Sequence, residues 1–270
     1  MNNFSFRLLS TGFNDCYYNM ALDEALLESV AGCLPEGGLP AGGNAGEGVL
    51  RFYGWNPPAV SIGYFQNLAE EVDVRAAKRH GFDLVRRISG GGAVIHRSEL
   101  TYSIIVPLNH PLAGKDLNES YQILCAGLIR GFGALGIESV FSGTNDILAG
   151  GKKVSGNAQT RRMNCLLQHG TILLDSDVDI MFEILKVPKE KNKGKLMEEV
   201  KGRLGSLRSI LGRETGYNEA EKIFTASFAG ALGLSLKKSE ISPQEEQRAR
   251  ELERTKFKTG EWLELFPKPG

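Results

Sequence analysis

An α+β fold is predicted, with a mixed and mainly antiparallel sheet packed with helices. Short alternating apolar segments bounded by turn residues recur through the first two thirds of the chain, and two long segments carry helical spacing. Strands and helices do not alternate strictly and no internal repeat is visible, which disfavours a doubly wound sheet. The 270 residues, 41% apolar and 24% charged, suffice for a substantial core without disulfide or metal staples. A single domain over 1–270 is expected, with 35–48 as a flexible Gly-rich insertion and 237–270 as a C-terminal helical extension.

Residues 19–30 place Met20, Leu22, Ala25, Leu26 and Val30 at mainly helical spacing, which predicts an amphipathic helix. The stretch PEGGLPAGGNAGEG (35–48) holds too much Gly and Pro for a regular element. VLRFYGW (49–55) and AVSIGYF (59–65) read as strands about Asn56-Pro57-Pro58, and a polar helix follows near 67–80. The strand FDLVRR (82–87) enters the turn Ser89-Gly90-Gly91-Gly92, leaves as AVIH (93–96), and LTYSIIVPL (100–108) continues the sheet. A second long helix over 118–135 carries Tyr121, Leu124, Leu128 and Phe132. Strands are then expected at 138–142, 146–150, 152–158 and 166–174. Residues 186–213 are basic, the usual mark of a solvated face, and helices near 217–231 and 243–257 complete the chain.

Lys plus Arg equals Asp plus Glu at 32 each, which argues against nucleic acid as a partner, since surfaces that track phosphates carry a basic excess. No run approaches the about 18 apolar residues of a membrane span. MNNFSFRLLSTGFND lacks the basic start and apolar stretch of a signal peptide, so a cytoplasmic protein is expected. Cys16, Cys33, Cys125 and Cys165 form no C-x-x-C pair and, with four histidines, no zinc spacing. Reduced, mostly buried thiols are expected.

Glycines after a strand let backbone N–H groups approach oxygens closely. The dinucleotide pattern begun at Gly90 fails, because Ile95 stands where its third glycine belongs and a strand follows. The P-loop pattern fails at Asp146 and Lys153. What remains is a glycine turn flanked by Arg86-Arg87 and His96, and a tight strand pair, GGKKVSGN (150–157), with lysines beside small residues. Lysine is a mobile point charge suited to phosphate or carboxylate oxygens.

At NMALDEALL, RFYGWNPPAVSIGYFQN, VRRISGGGAVIH, LTYSIIV, TNDILAGGKKVSGNAQ and LQHGTILLD the sequence resembles the lipoate–protein ligase family, within the biotin/lipoate ligase superfamily. The resemblance runs from about residue 6 to 235. It implies a biotin/lipoate ligase-type catalytic domain that activates lipoate or octanoate with ATP and Mg²⁺ to the acyl-adenylate. A lysine of a lipoyl carrier domain, of the glycine cleavage H protein or 2-oxoacid dehydrogenase E2 type, then takes the acyl group. It further implies that Lys153 bridges the acyl carboxyl and the α-phosphate, and that Arg87, Gly92, Ala93, Val94, Ile95, Asn145 and Asp146 contact the nucleotide or lipoyl-adenylate. Asp146 is the candidate for Mg²⁺. Gly90, Gly91, His96, Ser155, Gly156 and His169 support the site, and apolar residues of the RFYGW and SIGYF strands line an acyl tunnel. No tightly bound prosthetic group is expected.

Transferases of the same superfamily use no ATP and pass the acyl group through a cysteine thioester. By the resemblance that cysteine stands either just before Asn145-Asp146, where the sequence is ESVFSGTND, or after the proline matching Pro188, where Lys189 stands. Both positions lack it, which favours the ligase over the octanoyl or lipoyl transferase. A non-catalytic carrier-binding module is a third possibility, disfavoured by the retained Lys153 and Arg87. The sequence ends at EWLELFPKPG, where the C-terminal accessory domain of many bacterial ligases would begin, so a separate accessory polypeptide is a possible partner.

Replacing most of 36–47 with a short Gly-Ser link is expected to leave melting temperature and carrier acylation nearly unchanged. The segment holds little apolar surface to offset its ordering, and halving a loop changes closure by only about 0.6 kcal/mol. A tenfold or larger loss of acylation, at unchanged melting temperature, would instead make the segment part of the active site.

Overall fold

The structure is a computed structural model that describes residues 4–34, 47–186 and 193–266. Most of the Gly-rich insertion, Pro188 and Lys189, and the final four residues lie outside the described residues. The chain opens with β1 (Phe4–Asn14), α1 (Cys16–Val30), β2 (Gly48–Trp55) and β3 (Ala59–Ile62). Short helices α2 (Leu68–Glu71) and α3 (Val74–Arg79) precede β4 (Asp83–Arg86), β5 (Val94–His96) and β6 (Glu99–Pro107). The long α4 (Leu117–Ala134) leads into β7 (Ser139–Ser142), β8 (Asp146–Ala149), β9 (Lys152–Arg162) and β10 (Cys165–Leu173). After α5 (Val178–Ile184), α6 (Lys193–Arg203), α7 (Leu207–Leu211) and α8 (Tyr217–Leu232) come β11 (Leu234–Lys238), α9 (Pro243–Leu252) and α10 (Gly260–Leu263).

Eight strands form one sheet in the order β11-β1-β2-β6-β10-β9-β8-β7, parallel only within β11-β1-β2. A three-stranded sheet, β4-β3-β5, stands beside it. The α+β expectation holds. Helices α4 and α8 cover one face of the large sheet, with Leu124, Leu128, Phe224 and Phe228 packed on Phe52, Tyr102 and Ile104. Helix α1 covers the other face, with Leu22, Leu26 and Leu27 against Val49, Tyr53 and Leu167. No helix among the described residues is long and apolar enough to cross a membrane.

Several expected elements differ. Both β1 and β11, absent from the sequence reading, pair in parallel and set one edge of the sheet, so the C-terminal segment from 237 begins inside a strand. The strand expected to reach residue 65 ends at Ile62, because Gly63 lies under the glycine turn, where an added Cβ would meet Gly91 O at 2.0 Å. The helix expected near 67–80 breaks at Val72, which is extended and bridges Leu185. Helix α1 is buried on nearly every side rather than amphipathic. Its two glutamates meet the C-terminal segment: Glu28 pairs with Arg248, and Glu24 with Lys256.

Close packing of α4 on α8 depends on Gly131, where an added Cβ would lie 2.3 Å from Phe224 Cε1. That ring is itself fixed edge-on against Phe132. Gly131→Ala is therefore expected to destabilise the fold by about 1–3 kcal/mol, even though alanine is the better helix former by about 1 kcal/mol. Gly133→Ala, whose methyl meets nothing within 4 Å, is expected to be neutral or stabilising. Urea unfolding of both variants checks this; equal midpoints would contradict it.

Candidate active site

Charges removed from water must be paired and fully hydrogen-bonded. Asp23 on α1 and Arg51 on β2 are both essentially inaccessible and pair at 2.7 Å. The Asp23 carboxylate also accepts from Ser103 Oγ at 2.9 Å and Tyr53 OH at 3.0 Å, and it meets His169 Nδ1 at 3.1 Å. Burial alone would push the Asp23 carboxyl up, but Arg51 and His169 outweigh it and hold it below its ordinary range. The other imidazole nitrogen, His169 Nε2, meets Ser89 Oγ at 2.5 Å. A continuous polar chain thus links α1 to the start of the glycine turn.

Arg87 sits beneath that turn, 4% exposed. Its guanidinium donates to Gly90 O at 2.7 Å, Gly92 O at 2.8 Å, Ser61 O and Oγ at 3.1 Å, and Ser89 Oγ at 3.2 Å. Every one of these acceptors is neutral, and burial pulls the guanidinium down to about 10. Arg86 is used structurally, donating to the carbonyls of Gly63, Tyr64, Gln66 and Leu263. His96 stacks on Trp55 at 3.9 Å, with Nε2 on Ser61 Oγ at 2.8 Å and Nδ1 on Glu99 Oε1 at 2.7 Å.

Lys153 reaches the site through a change of register. Asp146 pairs with Gly156 and Leu148 with Lys153, which leaves one extra residue on β9. Such a bulge turns the side chains beyond it to the other face. Lys153 therefore lies on the same face as Asp146, its Nζ 2.8 Å from Asp146 Oδ1, with its end passing over Gly156. Asn145 and Asn157 lock the strand ends together, each donating its side-chain N–H to the other's backbone carbonyl.

Two connected hollows result. The inner cavity is lined by Met20, Tyr53, Trp55 and Ser61, together with the predicted site residues Arg87, Gly91, Gly92, Ala93, Val94, His96, Asn145, Lys153, Gly156 and His169. An outer groove shares Ala93, Val94, Lys153 and Gly156 with it, and Ile95 lies there instead. Gly90 acts through its carbonyl on Arg87, Asp146 through Lys153, and Ser155 is buried in the strand pair. Asp23, Arg51, Ser61, Ser89 and Glu99 were not singled out from sequence. Asp23 carried a signal, since it shares the helix face of Met20 and Leu27, both buried, where an unpaired carboxylate would be costly. The carboxylate of Asp146, the residue expected to hold Mg²⁺, is met by Lys153 at 2.8 Å, and no cluster of three or more His, Cys, Asp or Glu able to hold a metal exists among the described residues.

Tyr53 and Trp55 wall the inner cavity, Lys153 stands at its junction with the groove, and Arg87 holds the carbonyls of the glycine turn. A family model described as the lipoyl protein ligase A/B catalytic domain matches residues 15–229, and the chain belongs to that family. Octanoyltransferase LipM of Geobacillus kaustophilus is 35% identical, over 95% of this chain and 96% of that protein. Octanoyltransferase LipM of Symbiobacterium thermophilum is 36% identical, over 96% and 97%. Among solved structures, a bipartite lipoate protein ligase from Thermoplasma acidophilum, determined in a study that also covered its E2 lipoyl domain, superimposes with a TM-score of 0.83 at 28% identity, covering 100% of this chain and 99% of that one.

These relatives overturn the ATP-dependent ligase expected from the sequence: octanoyltransferases at 32–36% identity span nearly the whole chain. The physical reason is that a lysine and a glycine turn suit the oxygen atoms of an acyl-adenylate and of a thioester alike. Their presence therefore does not distinguish the two chemistries.

His96 gives the site a pH signature. Burial holds its imidazole below the ordinary 6.5, outweighing the opposing pull of Glu99, and Arg87 and His169 press in the same direction as burial. On acidification the unfolded chain therefore takes up the proton first. The contribution is complete above about pH 6.5 and is lost as pH falls toward the folded value, by at most about 1.4 kcal/mol per pH unit. Urea unfolding between pH 7.5 and 5.5 is expected to show a steeper loss for the wild type than for His96→Gln. Parallel losses would contradict it.

Proposed function

We propose that the chain is an octanoyltransferase: it takes an octanoyl group from a thioester on an acyl carrier and forms an amide with a lysine of a lipoyl domain, without ATP. The near full-length similarity to octanoyltransferases carries the reading. The site's chemistry suits it. Met20, Tyr53 and Trp55 offer an apolar wall for an alkyl chain, and Lys153 stands where the cavity opens. A thioester carbonyl placed there would develop negative charge on oxygen during attack, and a fixed cation lowers the energy of that charge more than that of the ground state. The E2 lipoyl domain studied with the Thermoplasma ligase makes a domain of that kind the first acceptor to test.

Incubation of the purified chain with an octanoyl-carrier thioester and a lipoyl domain, in the absence of ATP, is expected to add octanoyl to the acceptor, read by intact-mass spectrometry. Acylation that requires ATP, or none under either condition, would contradict the reading. Lys153→Ala is expected to lower the transfer rate by ~10²–10³-fold, the loss typical of removing one transition-state contact. Lys152→Ala is the control, since Lys152 lines a separate hollow with Gly150 and Ser209. A Lys153→Ala rate close to that of Lys152→Ala would remove Lys153 from the chemistry.

A further inference from the structure

A guanidinium buried without a carboxylate must find other acceptors for its N–H groups. Arg86 is fully buried, and its acceptors come from two segments far apart in sequence. Nη1 donates to Gly63 O at 3.1 Å, and to Tyr64 O and Gln66 O at 2.7 Å each. Nε donates to Trp262 O at 3.0 Å and Leu263 O at 3.2 Å, and Nη2 to Leu263 O at 2.7 Å. The last carbonyls of a helix lack donors within it, so the end of α10 has acceptors to offer. Trp262 returns the contact, its indole Nε1–H donating to Arg86 O at 2.8 Å.

The segment 63–66 held in this way is the one packed on the glycine turn. Tyr64 N donates to Ser89 O at 2.8 Å. Gly63 lies so close to Gly91 that no side chain fits between them. Gly91 has a φ of 95°, a conformation that glycine adopts without strain, and with Gly92 it lines the inner cavity. Arg87 therefore holds the turn from below, through Gly90 O and Gly92 O, while 63–66 holds it from the side.

The C-terminal segment is itself anchored. Arg7 and Glu245, both buried, pair at 2.6 Å and fix α9 to β1. Between α9 and α10 stands a π-helical turn, Glu253–Phe257, a form that is rare and frequent at functional sites. Thr259 Oγ1 accepts from Trp262 N at 3.2 Å, and the Trp262 ring lies 5.9 Å from that of Phe257 and 5.7 Å from that of Tyr64. Asn67 Nδ2 donates to Phe266 O at 2.8 Å, a second tie between the two segments.

Resting on octanoyl transfer as proposed above, we propose that Trp262 is a positioning residue for the reaction: with the end of α10 it locks Arg86, and through segment 63–66 it fixes the glycine turn beside the inner cavity. Met20, Tyr53 and Trp55, the wall suited to an alkyl chain, stand on α1 and β2, outside this line of contacts. Loss of Trp262 therefore leaves the alkyl chain bound but its reacting end misplaced, and a misplacement of about 1 Å can cost ~10²-fold in rate.

Hydrogen exchange and steady-state kinetics on the full-length chain test this, each below the unfolding transition of the variant measured. In Trp262→Ala the amides of 63–66, read by mass spectrometry, are expected to exchange ~10-fold faster or more, with those of β6 and β10 unchanged. Its kcat for octanoyl transfer is expected to fall ~10²-fold, with KM for the octanoyl-carrier thioester within about threefold of wild type. Trp262→Phe keeps a ring against Tyr64 and Phe257 but lacks the N–H, and is expected to fall between the two. Arg248→Ala, which removes a tie of α9 to Glu28, is expected to lower the urea midpoint while keeping the wild-type kcat. Unchanged exchange at 63–66, or a Trp262→Ala kcat within threefold of that of Arg248→Ala, would overturn the positioning role while leaving octanoyl transfer intact. A wild-type chain that transfers no octanoyl group would overturn the function proposed above, and the exchange measurement would still decide whether Trp262 holds the turn.

Discussion

The site rests on a buried ion pair, Arg51 with Asp23, placed where α1 crosses the large sheet. Removing one member of such a pair leaves an uncompensated charge and costs about 3–5 kcal/mol. The surrounding contacts complete it: Asn19 O and Oδ1 accept from Arg51, and Tyr53, Ser103 and His169 surround Asp23. One requirement of charge burial thereby fixes α1 against β2, β6 and β10 together. His169, held by Asp23, carries the same order to Ser89 and the glycine turn.

Arg87 obeys the same rule without a carboxylate. A buried guanidinium needs acceptors for its fork of N–H groups, and the carbonyls of Gly90 and Gly92 can reach it only if the chain folds over it. The cation therefore shapes the turn. Sequence reasoning from the glycines alone assigns the turn's conformation to their freedom; the structure adds that the arginine before them dictates where their carbonyls point. Ser61 and Ser89, which accept from Arg87, are each hydrogen-bonded to a histidine that contacts a carboxylate. The inner cavity thus has a rigid polar floor under an aromatic wall.

Much of this was legible in the sequence, and the gaps have physical causes. The segments RRISGGGAVIH and KKVSGNA pointed to the site because together they resemble the lipoate–protein ligase family; taken singly, cations beside glycines also suit a surface hairpin. Helices 118–135 and 217–231 were legible because their apolar period is clean. Strands β1 and β11 were missed because their pairing is parallel and spans more than 200 residues, which no local pattern records. The bulge that brings Lys153 to Asp146 is equally invisible, since an unbroken register would have put Lys153 and Gly156 on opposite faces. The choice of acyl donor was misread because an absent cysteine at two positions was taken to imply adenylate chemistry. A lysine beside a glycine turn is compatible with a thioester as well.

Lys153 joins these parts, an aromatic-walled cavity on one side and an open groove on the other. The most direct measurement is a crystal structure with an unreactive amide analogue of the octanoyl thioester. The alkyl chain is expected against Met20, Tyr53 and Trp55, with its carbonyl oxygen within hydrogen-bond reach of Lys153 Nζ. An alkyl chain bound outside this cavity, or a carbonyl turned away from Lys153, would contradict the account.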